Sequence, residues 1–250
     1  METYEHIKFE KSNGLATVSF NRPDKLNALN GRMAEELYEV VKAIGDDDEI
    51  KVFLLKGEGR AFSAGVDLKE TTAESFSSDG GIIDIGFRLS KILESLSKVT
   101  IAQIHGHCYT GALELALMFD MIFCADDTQF GDTHAQWGIM PRWGMTQRLS
   151  RRVGINKAKE LTFRALKFDG KEAAALGLAN SSCTKDKLDD HVQTVIKDIL
   201  SNSQEAIAAI KTLYNQGWAT TLKEGLQLEQ ATDPKLLNTS DLIDQFQSRK

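Results

Sequence analysis

Glu114 stands in the run GALELAL, flanked by Leu113, Leu115 and Ala116. A carboxylate among apolar neighbours is costly to bury without a partner or a task. A buried, tuned carboxylate suits proton transfer; the bland alternative is a glutamate on the solvent side of an amphipathic helix. His134 stands in FGDTHAQWGIMP, residues 130–141. With an ordinary pKa of about 6.5, imidazole can give or take a proton near neutrality. The competing reading is a ring that only bonds and shapes a pocket.

Two further stretches combine a strand, a glycine turn and a following helix: LLKGEGRAFSAGVDLKE (54–70) and IAQIHGHCYTGALELAL (101–117). Ser63, Ala64 and Gly65 occupy one turn, and Thr110, Gly111 and Ala112 the other. Small residues let a ligand approach the backbone, and a helix N-terminus presents free N–H groups with a favourable dipole. Two such turns facing each other could hold a developing oxyanion; they could equally be ordinary strand-to-helix turns. Neither matches the G-x-G-x-x-G or G-x-x-x-x-G-K-[ST] patterns of nucleotide sites. His105 and His107 have no third ligand at metal spacing, so no metal is expected.

These residues need a scaffold. HIKFE and LATVSF read as strands joined at Asn13-Gly14, a hairpin signal. Met33, Leu37, Val40, Val41 and Ile44 recur at helical spacing behind Asn30, a plausible N-cap. KVFLLKG, VTIAQIHG and MIFCA read as buried strands, with GGIIDIGFRLSKILESLS and GALELALMFD as helices between them. That alternation predicts an α/β core. RRVG, residues 151–154, reads as a helix start, and from about residue 156 helical patterns dominate.

At 250 residues the chain can hold one large domain or two small ones. Its net charge of -6 argues against a nucleic-acid or membrane-surface partner, since both require positive potential. The three cysteines, Cys108, Cys124 and Cys183, show no C-x-x-C spacing, which favours free thiols in a reducing compartment. No apolar run approaches the ~20 residues of a membrane span. METYEHIKFE has no apolar leader segment, so a cytoplasmic location is expected.

NRPDKLNALN, GRAFSAGVDLKE and the block from HGHCYTGALELALMFD through RRVG together resemble the successive signatures of the enoyl-CoA hydratase/isomerase (crotonase) superfamily. The resemblance runs over essentially the whole chain and is most specific from 101 to 154. It implies a ββα superhelical core over 1–195 and a C-terminal helical region over 196–250, packing on the core or a neighbouring subunit of a homotrimer or hexamer. It implies an acyl-CoA thioester as substrate, with no cofactor beyond the coenzyme A of that substrate.

Residue by residue, the resemblance places the oxyanion-binding N–H groups at Val66 and Gly111. It runs coenzyme A along PDKLNA and AFSAGVDL, with Lys25 for phosphates, and Ala28, Ala64, Asp67 and Leu68 for adenine and pantetheine. Glu114 matches one of the two glutamates that the family's hydratases use. The second is missing: His134 stands in its place, with Thr133 replacing the preceding proline. PRWGMTQRL puts Arg142, Trp143 and Met145 where the family carries small residues, so these side chains are expected to narrow the acyl pocket. Trp137 and Trp143 are also candidates for plain packing. The implied reaction is hydration of a 2-enoyl-CoA to a 3-hydroxyacyl-CoA. Isomerisation, decarboxylation or thioester hydrolysis is the alternative reaction of the same superfamily, and a non-catalytic acyl-CoA-binding protein is the alternative of another class.

Overall fold

The computed structural model describes residues 4–70, 81–234 and 239–248. Gly80 of the second expected helix, parts of the C-terminal region (235–238, 249–250) and the first three residues of the N-terminal stretch lie outside them. Strands β1 (Ile7–Ser12) and β2 (Leu15–Phe20) form the antiparallel hairpin expected at Asn13-Gly14. Both turn residues have positive φ, 49° and 82°, as a two-residue hairpin turn of the right twist requires. Helix α1 (Gly31–Asp46) starts at Asn30, whose side chain accepts from the Met33 N–H at 2.9 Å. Its expected apolar face is buried.

The next elements repeat one pattern: a strand in a large sheet, a short step into a small sheet, then a helix. Strand β3 (Val52–Gly57) leads to Ser63, bridged to Cys108, and then to α2 (Ile82–Ser95). Strand β4 (Val99–Ile104) leads to β5 (His107–Tyr109) and α3 (Gly111–Ala116). Strand β6 (Met121–Ala125) leads to β7 (Gln129–Gly131) and on to α4 (Met145–Val153). This is a ββα spiral.

The remaining elements are α5 (Ile155–Phe163), β8 (Lys167–Phe168), α6 (Gly170–Ala175), β9 (Ser181–Cys183), α7 (Lys185–Leu200), α8 (Gln204–Gly217), α9 (Leu222–Ala231) and α10 (Thr239–Ser248). The large sheet has the order β1-β2-β3-β4-β6-β9, parallel from β2 onward; the small sheet is β5-β7-β8.

The large sheet is covered on both faces, which explains its near-continuous apolar strands. Along β3, Phe53 and Leu55 enter the main core with α1 and α2, while Val52 and Leu54 meet Leu188, Val192 and Ile196 of α7. Alternate residues take opposite faces because the side-chain period of a strand is two.

One expectation needs correction. Arg151 and Arg152 lie in the last turn of α4, not at a helix start; Gly154, at φ 80°, ends that helix before α5. Helices dominate after residue 156, as expected, and the short strands β8 and β9 among them complete the two sheets. Both strands are too short, at two and three residues, to show an apolar period. The expected boundary at 195/196 falls inside α7, and α8 begins at Gln204.

Candidate active site

The two glycine turns run side by side. Ser63 N–H donates to His107 O at 3.0 Å, and Phe62 N–H to His105 O at 2.7 Å. Gly65 has φ 96°, and a Cβ there would lie 2.7 Å from Tyr109 O and collide with the Thr110 hydroxyl. A Cβ on Gly111 would lie 2.9 Å from Val66 Cγ2. Only glycine allows this approach at both positions. The N–H of Val66 lies beyond one turn, and that of Gly111 opens α3. Among the described residues neither meets a protein acceptor. Thr110, just before Gly111, has φ 46°, an uncommon conformation for a β-branched residue and one that concentrates at functional turns.

Beside the turns lies a cavity of about 280 Å³, whose walls include Ala64, Val66, Leu68, Glu114, His134 and Trp143. Glu114 projects into it from the first turn of α3 and is 3 % exposed. Its Oε1 accepts from the N–H groups of Trp143 at 2.8 Å and Met145 at 3.1 Å. Met145 is the first residue of α4, so the carboxylate sits on a helix N-terminus, where the dipole favours negative charge. This is how an apolar environment tolerates Glu114. The other oxygen, Oε2, lies 3.4 Å from His134 Nε2.

His134 follows β7 and is 7 % exposed. Its Nδ1 meets Asp132 Oδ1 at 2.6 Å. Asp132 Oδ2 accepts from the Thr162 hydroxyl at 2.7 Å. Burial pulls the His134 pKa down, but the Asp132 and Glu114 carboxylates outweigh it and raise the value to about 9. Burial pushes Asp132 up, and the hydrogen bonds from His134 and Thr162 overcome it, so its pKa is lowered. The ring stands between two acidic side chains, which favour its protonated form.

The other expected residues divide. Trp143, 5 % exposed, is both core and cavity wall: its ring occupies the place where a Cβ on Gly86 of α2 would stand. Arg142 also lines the cavity. Met145 does not; it is buried in the main core and contributes its N–H. Trp137 lines the cavity without joining the core.

Leu68 is half-exposed at the cavity. Lys25, Ala28 and Asp67 are not among the cavity-lining residues. They lie alongside, since Leu29 N–H donates to Gly65 O at 2.8 Å and Ala64 N–H to Leu26 O at 3.0 Å. Lys25 is exposed at the end of a one-turn 3-10 helix, Pro23–Lys25. Arg22 pins this loop, donating to Ala28 O at 2.6 Å and to the Asp67 carboxylate at 3.1 Å. Asp67 N–H is also committed, to Leu29 O at 2.8 Å.

Sequence reasoning missed the grip of Asp132 and Thr162 on His134, and the presence of Tyr109 and Lys167 in the cavity wall. Asp132, two residues before His134, offered a signal; Thr162, 30 positions away, offered none. His105 is engaged elsewhere, its Nε2 3.0 Å from Gly59 O. Among the described residues no three His, Cys, Asp or Glu side chains are arranged to hold a metal ion.

The ββα spiral, with two adjoining glycine turns and a buried carboxylate beside a cavity, places the chain in one class of α/β folds. The enoyl-CoA hydratase/isomerase family pattern matches residues 10–247, and the chain belongs to that family, with the crotonase fold. A probable peroxisomal enoyl-CoA hydratase of Arabidopsis thaliana is 34 % identical over 220 residues, covering 88 % of this chain and 82 % of that protein. A crotonyl-CoA hydratase of Syntrophomonas wolfei is 32 % identical over 227 residues, covering 90 % and 87 %. A putative enoyl-CoA hydratase of Thermobifida fusca, solved with acetoacetyl-CoA, superposes with a TM-score of 0.82 at 26 % identity, covering 90 % of this chain and 92 % of that one.

Proposed function

We propose that this chain hydrates the double bond of a 2-enoyl-CoA thioester to a 3-hydroxyacyl-CoA. The observation that carries the reading is the Glu114–His134 pair, 3.4 Å apart, at a cavity beside two acceptor-free N–H groups. The N–H groups of Val66 and Gly111 bind the thioester oxygen and stabilise the enolate that forms as water adds. Glu114 takes a proton from the water whose oxygen attacks the β-carbon. His134, in its protonated form, gives its proton to the α-carbon. The proton on Glu114 then returns to His134 across the contact between them, and both groups are restored. Glu114 accepts a proton while His134 gives one, the division of labour that acid–base catalysis needs.

Coenzyme A runs beside Ala28, Ala64, Asp67 and Leu68, with Lys25 toward its phosphates, and the reaction needs no other cofactor. Trp143 and Arg142 set the room for the acyl group. The chain assembles as a trimer or hexamer through its C-terminal helices. The support is an exposed apolar series, Ile210, Tyr214, Trp218, Leu222 and Leu226, across α8 and α9. A reducing compartment such as the cytosol suits the three free thiols. No helix among the described residues is long and apolar enough to cross a membrane.

Incubation with crotonyl-CoA tests the reading. Loss of enoyl absorbance with formation of 3-hydroxybutyryl-CoA is expected. Binding of acyl-CoA without turnover of short, medium or branched 2-enoyl-CoAs overturns it. A second reading, double-bond isomerisation, draws on Glu114, the single carboxylate in the cavity wall among the described residues. Conversion of a 3-enoyl-CoA to its 2-enoyl isomer without added water at the β-carbon would favour it.

A further inference from the structure

We propose that Asp132 is a positioning residue of this site: held by Thr162, it fixes the His134 ring by Nδ1 so that Nε2 faces Glu114 and the cavity. This rests on the reading of His134 as the proton donor.

Asp132 is fully buried and is not among the residues that line the cavity. Its influence on the reaction therefore passes through another side chain. Both its oxygens are occupied. Oδ1 accepts from His134 Nδ1 at 2.6 Å and from the His134 backbone N–H at 3.3 Å. Oδ2 accepts from Thr162 Oγ1 at 2.7 Å. A buried carboxylate without such donors is strongly disfavoured; here three of them confine it to one orientation.

The backbone contact fixes the turn that carries His134, and the ring contact fixes the ring within that turn. An imidazole ring has a broad, two-fold torsional preference about its last bond. A charged partner on Nδ1 removes that freedom and commits Nε2 to the opposite side. Thr162 comes from α5, a different element, so Asp132 is tied to the helix layer and cannot swing with the loop. The ionisable groups around the ring are Asp132 on its own segment, Glu114 from α3, and Tyr109, Arg142 and Lys167 across the cavity.

The test is Asp132→Asn in the full-length protein, with Thr162→Val beside it. The chain has five histidines, and His134→Gln assigns the His134 signals in ring-labelled NMR spectra. In Asp132→Asn the ring should titrate at lower pH than in the wild type, and Thr162→Val should shift it less in the same direction. With crotonyl-CoA, kcat should fall about 10–100-fold in Asp132→Asn, with KM within about twofold, as for loss of a residue that orients a working imidazole. The alkaline limb of kcat should move with the NMR midpoint.

An unchanged His134 midpoint and tautomer in a folded Asp132→Asn protein overturns the proposal. So does a rise in KM with kcat unchanged. If Asp132→Asn fails to fold, Thr162→Val decides by the same readouts, since it removes one hydroxyl and no charge. The NMR titration needs no turnover. A wild type without hydratase activity sinks the hydratase reading, and the titration still reads the Asp132–His134 coupling.

Discussion

His134 Nε2 stands 3.4 Å from Glu114 Oε2, while Glu114 Oε1 is tied to the N–H groups of Trp143 and Met145. One oxygen of the carboxylate is thus used to hold it, and the other is left toward the histidine and the cavity. The family's hydratases resemble one another in pairing two glutamates, which repel when both are ionised. Here a histidine stands beside the one matching glutamate, and the carboxylates on either side of the ring raise its pKa.

Glu114→Gln keeps a side-chain oxygen for the Trp143 and Met145 N–H groups but cannot accept a proton from water. The kcat for crotonyl-CoA hydration should fall by about 10²–10⁴, the usual loss for removing a general base. His134→Gln should lower kcat less steeply. Steady-state kinetics on both variants checks this, and full activity in Glu114→Gln would rule out its assignment as the base.

The charge on His134 links stability to pH. Its folded pKa, about 9, lies above the value of about 6.5 expected in the unfolded chain. The folded state therefore binds the proton more tightly. This stabilisation is present in full below about pH 6.5 and is lost as pH rises through 9. Denaturant unfolding between these limits should show falling stability in the wild type and a flatter profile in His134→Gln. Asp132, whose pKa is lowered, acts in the opposite sense: its contribution is present above the ordinary carboxylate range and is lost as pH falls through its folded value.

Gly65→Ala should damage the oxyanion site directly. The position has φ 96°, and the new methyl would press on the Thr110 hydroxyl and Tyr109 O. Moving this turn displaces the Val66 N–H from its neighbour at Gly111. A fall in kcat of about 10²–10³ is expected, as for loss of one oxyanion donor, with a lower unfolding temperature. Wild-type kcat in this variant would show that the Val66 N–H does not act on the thioester.

Lys211 fastens α8 to the sheet. Its Nζ donates to Asp120 Oδ2 and to Lys98 O, each at 2.8 Å, and it is the one buried residue of α8. Lys211→Met should cost about 1.5–3 kcal/mol, the range for a hydrogen bond to a charged group. Chemical denaturation measures it, and amide exchange in α8 should rise more than in β3.

The sequence alone determined most of the scaffold. The Asn13-Gly14 hairpin, the Asn30 cap, the face of α1 and the buried strands β3, β4 and β6 follow from local patterns that depend only on neighbours within a few positions. The glycine turns and Glu114 were legible because their residue types are costly outside a particular role. Strands β8 and β9 were not, since pieces of two or three residues carry no periodic signal and form only because a sheet edge awaits them.

The tertiary structure alone decided what surrounds His134. Its neighbours in the chain are compatible with a wall residue or a reactive one. Its raised pKa comes from Glu114, 20 positions earlier, and from Asp132, steadied by Thr162, 28 positions later. Electrostatic and hydrogen-bond energies depend on distance in space, and only the folded chain sets those distances.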